Sequence, residues 1–209
     1  AFLIGGIIMA ALGANPFLAV KFLFQGAFGS KAGIGTTLTK ATPLIFTALC
    51  ACFAYKCGVF NLGGEGQFIM GASASAYFVL KLGLTGPSAI AVGLVVGIVF
   101  GGLWALLPGI LKITRGLNEM ITTIMFNYIA LYFMEFLYKN VYSDQGLPQT
   151  PAMPKSAHLL DIGPAHFGVL IAIILGILVW YVIFRTSFGF KFRAVGMSPT
   201  AAKVNGFPV

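Results

Sequence analysis

The chain has 209 residues, of which 58% are hydrophobic and only 9% charged; soluble domains carry about 25% charged residues, so water is a poor match for its surface. The net charge of +8 does not indicate nucleic acid, because phosphate binding needs clustered Lys and Arg and here they are spread thinly between apolar runs. Twenty-seven glycines and twenty phenylalanines suit membrane helices instead, where glycine is commoner than in soluble ones.

An apolar run of about 20 residues crosses the hydrocarbon of a bilayer as a helix, and six runs qualify. The first covers Ala1 to about Phe24, interrupted by Asn15-Pro16. The chain begins on Ala1 with no basic segment before Phe2-Leu3-Ile4, which argues against a signal peptide ending near Ala11 to Ala14. The second run extends from about Pro43 to Tyr55, toward Phe60. It holds or adjoins Cys50, Cys52 and Cys57. On a helix the first two point about 200° apart and cannot share a metal, so all three are expected as small buried hydrophobes. The third run covers about Gly66 to Leu82. The fourth, Ser88 to Leu111, carries no charge and places Ala89, Gly93, Gly97, Gly101, Ala105 and Gly109 at every fourth position. Small residues so spaced let helices approach closely, but the drift of about 40° per step lets only part of the series meet one partner. The fifth run covers about Met120 to Leu137 and the sixth Phe167 to Phe184. No alternation of barrel strands is present, so the fold class is all-α, a polytopic transmembrane helical bundle.

Arg115, Arg185 and Arg193 fall on one side if every run crosses, joined by Lys56, Lys112, Lys191 and Lys203. Arginine-rich loops face the cytoplasm. The loop from Lys139 to about Ala165, with Pro148, Pro151, Pro154, Pro164, His158 and His166, is then outside. Two histidines without Cys or an acidic cluster make a poor metal site, and no metal or cofactor is expected. The chain ends on Gly206-Phe207-Pro208-Val209 with no closing element, and both ends read as cut; residues 1–209 form one truncated membrane domain.

Three segments could carry function. Gly58 to Gln67 sets four glycines, Asn61, Glu65 and Gln67 between two apolar runs. A charge at bilayer centre costs about 3 kcal/mol, so Glu65 lies at an interface or in a polar cavity. The segment is either a tight cytoplasmic turn or a discontinuous helix lining a solute path; it is not a phosphate loop, because no Lys-Ser/Thr pair follows. In the fifth run Thr123 and Asn127 share a face; such groups point into a bundle, either bonding between helices or meeting a polar solute. Phe126 and Tyr128 offer packing or a stacking surface. Beyond the last run, Ser198-Pro199 reads as an N-cap with Pro at the first helical position. Thr200 to Asn205 can form a short helix, and Gly206 suits its left-handed cap. This basic helix either docks into a groove of a soluble partner or lies in lipid headgroups.

Phe60-Asn61-Leu62-Gly63-Gly64-Glu65-Gly66-Gln67, followed by Gly71-Ala72, resembles the Phe-Asn-x-Gly-x-Glu-Gly-Gln signature of ABC-transporter permeases for nucleosides and simple sugars, within the broad branched-chain amino-acid permease group. Asn118-Glu119, Thr122-Thr123-Ile124-Met125 and Asn127-Tyr128 resemble that family's next well-marked helix. Arg185 to Gly196 resembles the cytoplasmic segment before its coupling helix. The resemblance implies a truncated permease of an ABC importer in the cell membrane. Phe60, Asn61, Glu65, Gln67, Thr123, Asn127 and Tyr128 would lie along the substrate path. Gly189, Lys191, Arg193, Gly196, Ser198, Ala201 and Ala202 would serve ATPase coupling. It further implies an ATP-binding subunit on the cytoplasmic side, an extracytoplasmic solute-binding protein and a second permease subunit, with lipid around the bundle. Nucleosides come first as cargo and simple sugars next. The chain has no nucleotide-binding loop and is not expected to be an enzyme. An intramembrane enzyme would need a nucleophile and base at membrane depth, whereas Ser73 and Ser75 have no His or acid near in sequence. A channel or structural membrane protein without ATP coupling is the alternative.

Overall fold

A computed structural model describes residues 2–142 and 151–208. Ser143 and Pro148 of the long loop lie outside the described residues. Nine α-helices follow in order among them: α1 Phe2–Ala11, α2 Pro16–Phe28, α3 Lys31–Lys56, α4 Gly64–Lys81, α5 Gly86–Arg115, α6 Glu119–Leu137, α7 Gly168–Arg185, α8 Ser187–Met197 and α9 Pro199–Val204. Strand among the described residues is one antiparallel pair of two residues each, Asp161–Ile162 with Ala165–His166.

Among the described residues four helices are long and apolar enough to cross a membrane: α3, α5, α6 with the π-helical turn that continues it, and α7. The third run, α4, has 18 residues but is less apolar, because Glu65, Gln67, Ser73 and Ser75 lie within it. The first run is two helices rather than one. Asn15 caps α2, its side chain accepting from the amides of Phe17 and Leu18 at 3.0 and 3.3 Å, with Pro16 at the first helical position. At ~1.5 Å per residue, helices of 10 and 13 residues each fall short of a hydrocarbon core about 30 Å thick.

Helix α3 starts 12 residues before the expected Pro43 and passes through it. Ser30 Oγ caps the start of this polar stretch, accepting from the Gly33 amide at 3.0 Å, and Thr36 and Thr42 satisfy their own hydroxyls by donating back to the carbonyls of Ala32 and Leu38 at 3.0 and 2.9 Å.

The chain divides into two compact units, Ala1–Leu44 with Leu160–Ile173, and Ile45–Leu159 with Ile174–Val209. In the first, the Thr37 hydroxyl donates to the Ala27 carbonyl at 3.0 Å. Gly35 passes beneath Pro164 so closely that a Cβ would strike the Pro164 backbone.

In the second unit α4 packs along α5. A Cβ on Gly93, Gly97 or Gly101 would meet Val79 Cγ2 at 3.5 Å, Ser75 Oγ at 2.8 Å or the Gln67 carbonyl at 3.1 Å, whereas one on Gly109 would meet nothing within 4 Å. Three members of the small-residue series therefore share α4 as partner, as the helical drift requires. Ser75 Oγ donates across the seam to the Gly93 carbonyl at 2.6 Å. The other face of α4 meets α6, where the Ser73 and Tyr138 hydroxyls are 2.9 Å apart.

Burial runs opposite to that of a soluble protein. Buried apolar side chains are mostly small, among them Ala74, Ala89, Ala130 and Ala172, whereas Ile98 and Ile113 are 74% and 86% exposed. Close packing of small residues inside and large apolar ones outside is the arrangement lipid favours, since lipid gives apolar groups no reason to hide. The helical membrane bundle read from the sequence is thereby observed.

A polar junction and a basic two-helix segment

The connection between α3 and α4 is short, and its backbone groups need partners because the bilayer supplies none. Helix α3 ends in a left-handed turn at Gly58, φ +78°. The amides of Gly58 and Val59 there bond the carbonyls of Tyr55 and Ala54 at 3.0 and 3.1 Å, the double closure of a Schellman cap.

Side chains take over beyond it. Asn61 Oδ1 accepts from the Gly63 amide at 2.9 Å and from Gln67 Nε2 at 3.2 Å. Asn127 of α6 spans the junction: its Nδ2 donates to the Leu62 carbonyl at 2.9 Å and its Oδ1 accepts from the Gly66 amide at 2.8 Å. Thr123 Oγ1 accepts from the Leu62 amide at 3.3 Å while donating to the Glu119 carbonyl at 2.7 Å. Cys50 joins the group, receiving from Asn61 Nδ2 at 3.3 Å and giving to Gln67 Oε1 at 3.2 Å. Glycine is needed where α6 approaches, since a Cβ on Gly66 would lie 2.9 Å from Asn127 Oδ1 and 3.0 Å from its Cα.

Four of the seven expected path residues, Asn61, Gln67, Thr123 and Asn127, thus form one hydrogen-bonded cluster. Their polar groups tie helices together and satisfy backbone. The other three stand outside it. Glu65 is exposed, with no hydrogen bond or ion pair described for it, on a face of α4 shared with Phe68 (47% exposed) and Ala72. Tyr128 is 58% exposed. Phe60 packs edge-on against Tyr55, ring centroids 5.4 Å apart, and Phe126 is held by Trp104 at 5.5 Å. Cys50 is the member of the cluster that sequence reasoning missed; its spacing from Asn61 and Gln67 gives no signal, because the link exists only once the chain turns at Gly58.

Several cations gather at this end of the second unit. Lys112 bonds Glu119 at 2.8 Å across the turn between α5 and α6, where Gly116 takes φ +63°. Lys56 Nζ and Arg193 Cζ lie 5.7 and 5.2 Å from the centroid of the same Phe184 ring. Burial pushes the Cys57 thiol up, with neighbouring Lys112 acting against it. Lys56, Lys112 and Arg193 therefore share one end, as the loop charges indicated.

Helix α8 was not anticipated as a helix. Phe188, Phe190 and Phe192 alternate like a strand face, yet the Thr186 hydroxyl caps a helix here, accepting from the Gly189 amide at 3.1 Å and donating to the Val182 carbonyl at 2.6 Å. Gly189 is buried where α8 turns off α7; a Cβ there would collide with the Val182 and Ile183 carbonyls. Helix α9 follows the sequence reading. Ser198 Oγ accepts from the Ala201 amide at 3.2 Å, and Gly206 has φ +75°. A cavity of about 480 Å³ lies between α8 and α9, lined by Arg193, Met197, Ala201 and Phe207 among others. Within α9, Ala201 is exposed but Ala202 is only 3% exposed, so Ala202 serves the packing of α9 and Ala201 stands at the open side of the cavity. Lys191 is exposed as well, and Gly196 is half-buried.

The family of the branched-chain amino acid transport system / permease component matches residues 33–209. The chain belongs to this permease family. Among curated proteins, the permease is 38% identical to the nucleoside ABC transporter permease NupB of Lactococcus lactis over 98% of this chain and 60% of that one. It is 33% identical to the guanosine ABC transporter permease NupP of Bacillus subtilis, over 98% and 61%. It is 26% identical to the glucose ABC transporter permease TsgB13 of Haloferax volcanii, over 97% and 57%. The chain spans about three fifths of the length of these relatives. No solved structure matches it. Membership and the apolar helices together make this permease a multi-pass protein of the cell membrane.

Proposed function

We propose that the chain is the membrane-spanning part of an ABC importer permease, a single permease domain that forms the translocation path for a nucleoside and leaves ATP hydrolysis to a separate subunit. The observation that carries this reading is the likeness, over 98% of the chain, to permeases named for nucleosides and guanosine. Among the described residues no group of three or more His, Cys, Asp or Glu could hold a metal, and the reading assigns the chain no chemistry of its own. Solute passes by alternating access: nucleotide-driven closure of the ATP-binding subunits moves α9, and the bundle opens to the other side. A solute-binding protein delivers cargo from outside, and a second permease subunit completes the path. Competition by unlabelled guanosine, and none by glucose, in an uptake assay with radiolabelled guanosine supports the cargo; competition by glucose alone replaces it with a simple sugar.

Glu65 is the side chain we assign to the path. Its carboxylate cannot face hydrocarbon without a cost of about 3 kcal/mol, and Phe68, one turn on along the same face, offers an apolar ring beside it. The cluster of Asn61, Gln67, Thr123 and Asn127 holds that segment of α4 in place. Glu65→Gln is expected to leave membrane insertion intact while lowering uptake. Wild-type uptake by that variant returns the segment to a plain turn.

The Arg-rich end is assigned to the cytoplasm. Single cysteines at Ser143 and Ser198, in an otherwise cysteine-free protein, are expected to behave oppositely in intact cells, an impermeant maleimide labelling the first and sparing the second. Labelling of both overturns the assignment.

A further inference from the structure

Gly196 of α8, which the family resemblance groups with the coupling residues, touches the membrane bundle backbone to backbone. It lies near the end of α8, against the Schellman turn that closes α3. A Cβ on Gly196 would collide with the Lys56 carbonyl and sit 2.8 Å from the Cys57 carbonyl carbon and 2.9 Å from the Gly58 nitrogen. A Cβ on Gly58 would in turn lie 3.0 Å from both the Cα and the carbonyl oxygen of Gly196. Here two backbones meet with no side chain between them. Two further contacts fasten the same pair of elements: Phe53 of α3 against Phe192 of α8, centroids 4.9 Å apart, and the Phe184 ring shared by Lys56 and Arg193.

Side chains can rotate out of the way of a moving neighbour, whereas touching backbones can only move together or separate. Gly58 stands three residues before Asn61, whose amide is bonded to Gln67, Cys50 and the Gly63 amide. Packed backbone and hydrogen-bonded groups of this kind can carry coupling between sites when they have two discrete arrangements.

We propose that the Gly58–Gly196 contact is where movement of α8 and α9 enters the membrane, shifting the α3–α4 connection and with it the Asn61 cluster that holds the Glu65 segment of α4. Both glycines are positioning residues for transport. The proposal rests on the importer reading and names the route that coupling takes inside this chain.

The test uses Cys50, which is partly accessible and bonded into the cluster, as a reporter. The full-length permease carries Cys52→Ala and Cys57→Ala, so that Cys50 is the remaining thiol of this segment, and is reconstituted with its ATP-binding subunit and solute-binding protein. Cys50 alkylation is then followed by mass spectrometry without nucleotide and with ATP trapped by vanadate. The rate in the parent is expected to differ several-fold between the two states. In Gly196→Ala the difference should vanish and uptake should fall about tenfold, while the ATP-binding subunit still co-purifies. Phe192→Leu, which loosens the same fastening without adding a Cβ at the crossing, should reduce both effects partway and guards against misfolding of the first variant. Nucleotide-dependent alkylation and uptake that persist in both variants overturn the route alone. A parent that binds and uses the ATP-binding subunit but shows no change at Cys50 overturns it equally. A parent that binds no ATP-binding subunit overturns the importer reading and the route with it.

Discussion

Ala201→Trp is expected to abolish productive contact with the proposed ATP-binding subunit while leaving the chain folded. Ala201 is exposed on α9 at the open side of the α8–α9 cavity, so an indole there obstructs a partner seated over that opening. The expected loss is at least about tenfold in affinity, equivalent to ~1.4 kcal/mol, read by pull-down of the ATP-binding subunit and by ATPase activity stimulated with solute-loaded binding protein. Ala202 is the wrong position for such a test, because at 3% exposure a Trp would prise α9 from its own packing. Ser198→Ala makes a milder companion. It removes the 3.2 Å bond to the Ala201 amide and should cost about 1 kcal/mol of local helix stability. If Ala201→Trp changes neither association nor stimulation, α9 lies in lipid headgroups instead, and partner docking has to be sought elsewhere on the basic end.

The second large effect is expected at Asn127. Asn127→Leu keeps the side chain's approximate bulk but strips the Leu62 carbonyl and the Gly66 amide of their partners. Burying unpaired polar groups costs about 1–3 kcal/mol each. The two together should destabilise the α4–α6 contact by roughly 3 kcal/mol, measured by denaturant unfolding in detergent micelles. Asn127→Asp retains an acceptor for the Gly66 amide but loses the donor to Leu62, and should fall between Leu and wild type. Equal stability of all three would mean that the junction finds other partners and is not held by this amide.

Long apolar stretches such as Ser88 to Leu111 announced α5 plainly, because lipid imposes length and apolarity on any crossing helix. The cap of α9 was equally legible, since Ser198, Pro199 and Gly206 each act locally. The start of α3 was not: the apolar run begins only at about Pro43, whereas Thr36 and Thr42 satisfy their hydroxyls on the turn before them, so polar residues precede the run without leaving the helix. Helix α8 was hidden by its alternating phenylalanines, a spacing that suggests a strand when read without the Thr186 cap.

For the candidate site, polarity in an apolar setting picked out Asn61, Gln67, Thr123 and Asn127, and the structure gathers all four. What sequence could not assign was the direction of each bond. Whether an amide serves backbone or solute depends on which turn lies opposite it, and that is fixed by Gly58 and by the approach of α6. Cys50 was passed over for the same reason.

The seam between α4 and α5 constrains how any opening could occur. Gly71 sits so close to α5 that a Cβ would come within 2.7 Å of the Gly97 carbonyl, and Ser75 bonds across to Gly93. Sliding by even one residue would drive a side chain into backbone and strand that hydroxyl. Any opening that keeps these contacts intact has to carry α4 and α5 together, and the bonds from Asn127 and Tyr138 of the neighbouring segment to Gly66 and Ser73 would have to move with them or break. The glycine series that looks like mere economy of space therefore also locks the register of the two helices.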